Sequence, residues 1–124
     1  MTQPLTGVRI LDLTHMLSGP YAGMILADLG AETIKIEPLR GEGTRKLLAT
    51  DPNNSLNGMG AYYLTLNRNK KSVLIDLKTD QGLGVFKDLV AKSDIVISNF
   101  GAGVPERLGI DYKSLSNVNP RIIT

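Results

Sequence analysis

The chain has 124 residues, 42% hydrophobic and 21% charged, which suits one globular domain with one core and excludes a disordered or fibrous class. Fourteen basic residues against twelve acidic leave a formal charge of +2, too mild to point to nucleic acid though suited to a polyphosphate ligand. No cysteine and one histidine argue against a disulfide framework or a metal centre and fit a cytoplasmic setting; no apolar run is long enough to span a membrane, and the first residues lack the pattern of a secretory signal.

The elements follow in chain order. Residues 8–13, VRILDL, form a β-branched and aliphatic run of strand length, followed by a polar turn over 14–19. Pro20 suits a first helical position, and the Ser18 hydroxyl is placed to cap the helix. That helix runs to about Leu29 and stops at Gly30, which is free to take the left-handed conformation after a helix end. Residues 33–37, TIKIE, read as a second strand, and 38–60, rich in Gly, Asn and Pro, as a long loop. A third strand is expected over 72–76, SVLID, before a helix capped by Thr79 whose apolar Leu83, Phe86, Leu89 and Val90 share a face. Residues 94–98, DIVIS, make a fourth strand. After it come the turn NFGAGVPERLG, a helix over 111–118, and RIIT, which opens a fifth strand four residues from the end of the sequence. That fifth strand is expected either to mark a truncation at Thr124, to be completed by a partner chain, or to be a short edge strand.

Strands alternating with helices predict a parallel sheet with flanking helices, an α/β fold, in which ligands sit beyond the carboxyl ends of the strands. The turns at 14–19, at Lys78 and at 99–103 all follow strands, so they should gather on one edge. The first turn does not match the dinucleotide fingerprint G-x-G-x-x-G, because Pro-Tyr-Ala separates Gly19 from Gly23. Glu37, about 20 residues beyond the turn, nevertheless stands where a ribose-binding acid would, which keeps a nicotinamide-dinucleotide domain as an alternative. A further alternative is a non-catalytic interaction module. Residues 20–23, at the start of the helix, could turn a positive dipole end toward a phosphate or carboxylate.

Three blocks carry a more specific signal: ILDLTHMLSGPYAGMILADLGAETIKIEP, then NRNKKSVLIDLKTDQG, then SDIVISNFGAGVPERLGIDYKSLSNVNPRIIT. In this order they resemble the N-terminal part of the family III CoA-transferases, the group with formyl-CoA transferase, carnitine CoA-transferase and α-methylacyl-CoA racemase. The resemblance covers nearly the whole chain and implies that residues 1–124 form a Rossmann-like CoA-binding part of a dimeric enzyme. It implies that coenzyme A is the ligand, with His15, Leu17 and Ser18 toward the thioester end. Ile75, Asp76, Leu77 and Lys78 would line the adenosine and phosphate end, with Asn99, Phe100 and Gly101 in the adjoining turn and Arg107 on a phosphate. These residue types suit those roles: Phe100 and Leu77 can flank an adenine, and Lys78 and Arg107 can pair with phosphates. Where formyl-CoA transferases carry an arginine after the IKIE strand, this chain has Pro38, and Arg40 is the nearest basic group. The family's aspartate nucleophile lies downstream of NPRII, and none of the eight aspartates here stands in for it, so no catalytic residue is assigned and the chain alone is expected to be inactive.

Overall fold

A computed structural model describes residues 2–124. Its centre is a parallel sheet of β1 (Arg9–Asp12), β2 (Glu32–Glu37), β5 (Lys70–Leu74) and β6 (Ile95–Ile97), in the order β5-β2-β1-β6. Ile123 adds one parallel bridge to Ile95 on the open side of β6, so RIIT begins at the sheet's edge but pairs at a single residue. The helices are α1 (Ser18–Asp28), α2 (Ala61–Leu66), α3 (Asp80–Val90), α4 (Val104–Leu108) and α5 (Tyr112–Ser116). The α/β expectation therefore holds. Because β2 lies on one side of β1 and β6 on the other, the strand order reverses at β1, where such sheets open a crevice.

The two faces of the sheet differ in chemistry. Leu11, Leu13, Ile36 and Val96 pack with Phe86 and Val90 of α3 and Leu115 of α5 into the apolar core. Burial of a side chain such as Phe86 is worth roughly 1.5–3 kcal/mol. The expected apolar face of α3 is present, and the Thr79 hydroxyl accepts from the Gly82 N–H as its cap. On the opposite face, which α1 covers at Asp12 and the segments carrying Arg45 and Tyr63 cover at Glu37, the alternate positions Asp12, Thr33, Lys35 and Glu37 are polar and all buried. Parallel sheets are covered on both faces, so these groups need partners inside the protein. Only the Thr33 hydroxyl oxygen lacks one among the described residues. Thr33→Val, which keeps the shape and removes the orphan hydroxyl, should stabilise the chain by about 1 kcal/mol; an unchanged or lower urea midpoint would refute this.

Several boundaries differ from expectation. α1 starts at Ser18 with Leu17 as its unbonded cap, so Ser18 is inside the helix and does not cap it, and Pro20 is its third residue, two positions beyond the first and still within the first turn. Its end is as expected, with Gly30 at φ 101°. β5 begins at Lys70 rather than residue 72, since the pairing of β2 runs from Thr33 with Lys70 to Glu37 with Leu74. The 38–60 stretch contains a 3-10 turn (Gly43–Lys46) and a small hairpin of β3 (Ser55–Leu56) and β4 (Met59–Gly60). Asn57 and Gly58 connect the two strands, both at positive φ as a type I′ turn demands. α4 interrupts the turn after β6, bounded by left-handed Gly103 and Gly109. The last helix, α5, is shorter than expected but is capped by Asp111, whose side chain accepts from the Ser114 N–H. α1 is apolar on its outer face as well: Leu17, Tyr21, Ile25 and Leu29 form an exposed stripe beside Met16.

Candidate functional site

The turns after β1, β2 and β5 meet at the carboxyl edge of the sheet around a crevice of about 580 Å³. Its apolar lining comes from Leu13, Met16, Ile36, Pro38, Ile75, Leu77, Phe100 and Leu108. His15 and Phe100 form an aromatic pair there, with ring centroids 5.3 Å apart and planes inclined at 51°. Arg40, Lys46 and Lys78 stand at its margin, and none of them makes an ion pair among the described residues. The site thus combines an apolar floor, an aromatic edge and three free cations, which suits a ligand with one flat apolar part and one anionic part.

One wall is fastened by Glu37, whose side chain is fully buried. Its Oε1 accepts from Arg45 Nη2 at 2.7 Å, Ser72 Oγ at 2.7 Å and Tyr63 Oη at 3.0 Å. Oε2 accepts from Arg45 Nε and the Glu42 N–H, both at 2.7 Å. The Arg45 guanidinium also lies over the Tyr63 ring, 4.1 Å from its centre. Burial is the largest influence on Glu37 and pushes its pKa up, yet the donors from Arg45, Ser72, Glu42 and Tyr63 together bring it down to about 2. Burial, and then the Glu37 carboxylate, push the Tyr63 phenol up. Glu42 turns inward as well: it caps the 3-10 turn by accepting from the Thr44 N–H and hydroxyl. These bonds hold the segment that carries Arg40 and Lys46 against β2 and β5.

Of the residues singled out from the sequence, His15, Arg40, Ile75, Asp76, Leu77, Lys78 and Phe100 come together around the crevice. Leu17, Ser18, Asn99, Gly101 and Arg107 do not line it. Leu17 and Ser18 face outward at the start of α1, and Arg107 is exposed on α4. The Asn99 side chain is engaged with the backbone of His15, accepting from its N–H at 3.0 Å and donating to its carbonyl at 2.7 Å. Gly101 has a conventional φ and open space where a side chain would stand, so neither strain nor crowding requires glycine there. Glu37 also departs from the ribose-binding role, since five hydrogen bonds within the protein occupy its two oxygens. The sequence reading missed Thr14, Met16, Glu42 and Lys46 as lining residues. The parallel-sheet rule placed the 14–19 turn at this edge, but nothing local marks which side chain of a turn faces inward.

An α/β layer domain with its crevice at the strand-order reversal defines the class. Within that class, the profile of CoA-transferase family III matches residues 5–124, and the chain belongs to this family. It is 40% identical over 124 residues to a formyl-CoA:oxalate CoA-transferase of Streptomyces avermitilis, covering 99% of this chain and 29% of that protein. It is 41% identical over 126 residues to the human succinyl-CoA:glutarate CoA-transferase, covering 98% of this chain and 27% of that protein. The crystal structure of a CAIB/BAIF family protein from Brucella suis superposes with a TM-score of 0.89 at 37% identity, covering 99% of this chain and 32% of that one. The chain therefore spans under a third of the length of these relatives.

Proposed function

We propose that residues 1–124 are the CoA-binding part of a family III CoA-transferase and that the crevice holds CoA or an acyl-CoA. The observation that carries this reading is the set of three unpaired cations, Arg40, Lys46 and Lys78, around an apolar crevice edged by the His15–Phe100 pair. Adenine and pantetheine suit the apolar lining, and the phosphates suit the cations. In the whole enzyme the ligand would take part in moving CoA between an acyl-CoA and a carboxylic acid. The 124 residues alone carry no transfer in this reading, because the resemblance places the aspartate nucleophile downstream of NPRII. Self-association belongs to the same proposal, supported by the outer apolar stripe of α1. So does a cytoplasmic setting, supported by the cysteine-free sequence. Among the described residues, no helix is long and apolar enough to cross a membrane.

A nicotinamide-dinucleotide site is the competing reading, and the full engagement of Glu37 counts against it. Calorimetric titration separates the two. CoA should give a saturable heat and NAD none; saturable NAD binding without CoA binding would overturn the proposal.

A further inference from the structure

The turn between β1 and α1 has an unusual support. Met16, exposed and at φ 68°, sits in the left-handed region that an unbranched bulky side chain seldom occupies, at a cost of roughly 1–2 kcal/mol. Such a conformation persists only where its surroundings fix it. Here the fixing is done by side chains from other elements. Asp12 accepts from the Thr14 N–H at 2.9 Å and from the Thr14 hydroxyl. Lys35 Nζ donates to the Thr14 carbonyl at 2.7 Å, Asn99 brackets His15, and at the far end Lys70 Nζ donates to the Pro20 carbonyl at 2.8 Å.

Lys35 and Lys70 share one buried cluster with Asp12. Asp12 and Lys35 are register partners in the sheet, and Lys70 reaches Asp12 at 2.7 Å and Asn67 at 2.9 Å with almost no exposed surface on either ion. Two ammonium groups against one carboxylate are an expensive way to fill the space under a helix, since well-packed apolar side chains of similar volume are often as stable as a buried ion cluster. The helix is shaped around them: a Cβ on Gly23 of α1 would stand 2.6 Å from the Asp12 carboxylate and 3.2 Å from Lys70 Nζ. Neither lysine lines the crevice, but both hold backbone of the segment that presents Thr14, His15 and Met16 to it.

We infer that Lys35 and Lys70 are positioning residues: through Asp12 and the Thr14 and Pro20 carbonyls they fix the 14–20 turn in its ligand-binding geometry before the ligand arrives. The inference rests on the reading of the crevice as a CoA site. Small displacements of a preorganised turn weaken ligand binding far more than they weaken the fold.

The test compares CoA titrations of the wild-type chain with those of Lys35→Met, Lys70→Met and Lys71→Met, each variant removing one positive charge. Lys71 is the control, a neighbour on the same strand whose side chain is 70% exposed and which pairs with Glu32 on the surface. Lys35→Met and Lys70→Met should weaken CoA binding about tenfold or more, with amide shifts concentrated in residues 13–21, while Lys71→Met binds as wild type. Folded Lys35→Met and Lys70→Met variants that bind CoA like the wild type would overturn the inference, as would an equal loss in Lys71→Met, which would reduce the effect to net charge. A wild-type chain silent toward CoA would instead refute the crevice reading. If both buried variants fail to fold, amide exchange in the wild type decides: the Thr14–Met16 amides should exchange as slowly as β1, and fast exchange there overturns the inference.

Discussion

Glu37→Gln should destabilise the chain by about 3–5 kcal/mol, the cost typical of removing one partner from a buried ion pair and leaving the other uncompensated. The Arg45 guanidinium would face a neutral amide, which can accept at one atom only, whereas the carboxylate now accepts five bonds at two. The same group gives the chain an acid limit. Its folded-state pKa is depressed from 4.5 to about 2, so its contribution is fully present above the unfolded value and is lost as pH falls from about 4.5 toward 2. That contribution is about 3 kcal/mol at neutral pH. Denaturant titrations between pH 7 and pH 3 should show wild-type stability falling toward that of Glu37→Gln, with the variant's own dependence flatter. Parallel curves would show that the carboxylate is not the titrating group. Because Arg40 and Lys46 ride on the segment that Glu37 anchors, the proposed CoA binding should weaken in the same variant.

Gly82→Ala and Gly84→Ala should move stability in opposite directions although they lie two residues apart in α3. A Cβ on Gly82 would be placed 2.0 Å from the Asp76 carbonyl oxygen and 2.8 Å from its carbon. Both are backbone atoms of the turn that lines the crevice with Asp76, Leu77 and Lys78, and that turn cannot yield without lifting α3 from the sheet. The cost should be about 1–3 kcal/mol or more, enough to overwhelm the helical preference of alanine. At Gly84 a Cβ meets nothing within 4 Å, so alanine there should stabilise by roughly 0.5–1 kcal/mol. Paired thermal melts check both. A neutral Gly82→Ala would mean that α3 can slide freely over the turn, against the close approach seen here.

What could be read from the sequence, and what could not, divides along physical lines. The apolar runs of β1, β2 and β6 and the periodic face of α3 were legible because burial writes itself into hydropathy. The edge of the sheet that holds the site followed from parallel pairing, whereas His15, Lys78 and Phe100 were singled out by the family resemblance of the blocks that contain them. Lys35 was not legible: in TIKIE it reads as the outward member of an alternating strand, and only the covering of that face by α1 turns it inward. Lys70 hid the start of β5 for the same reason, a charged residue whose ammonium is buried on Asp12. The β3–β4 hairpin did have a signal, since Asn57-Gly58 is the preferred pair for its turn, but arms of two residues are too short to show alternation. Arg45 and Tyr63 carried no local sign at all, because their role depends on a contact with Glu37 that only the fold creates.

The position of β1 at the middle of the sheet sets the order in which the domain can assemble. Its partner β2 is close in sequence, joined to it through the single crossover helix α1. The other flank of β1 is reached only across most of the chain: the Arg9 N–H meets the Asp94 carboxylate 85 residues away, and the Leu13 N–H meets the Ile97 carbonyl. Closing so long a loop is slow compared with local pairing, and its entropy must be overcome before the contacts it allows can form. During synthesis β1 therefore waits with one open edge until β6 has left the ribosome. The His15–Phe100 edge of the crevice depends on that long-range closure, whereas the walls built from the turns after β1, β2 and β5 do not.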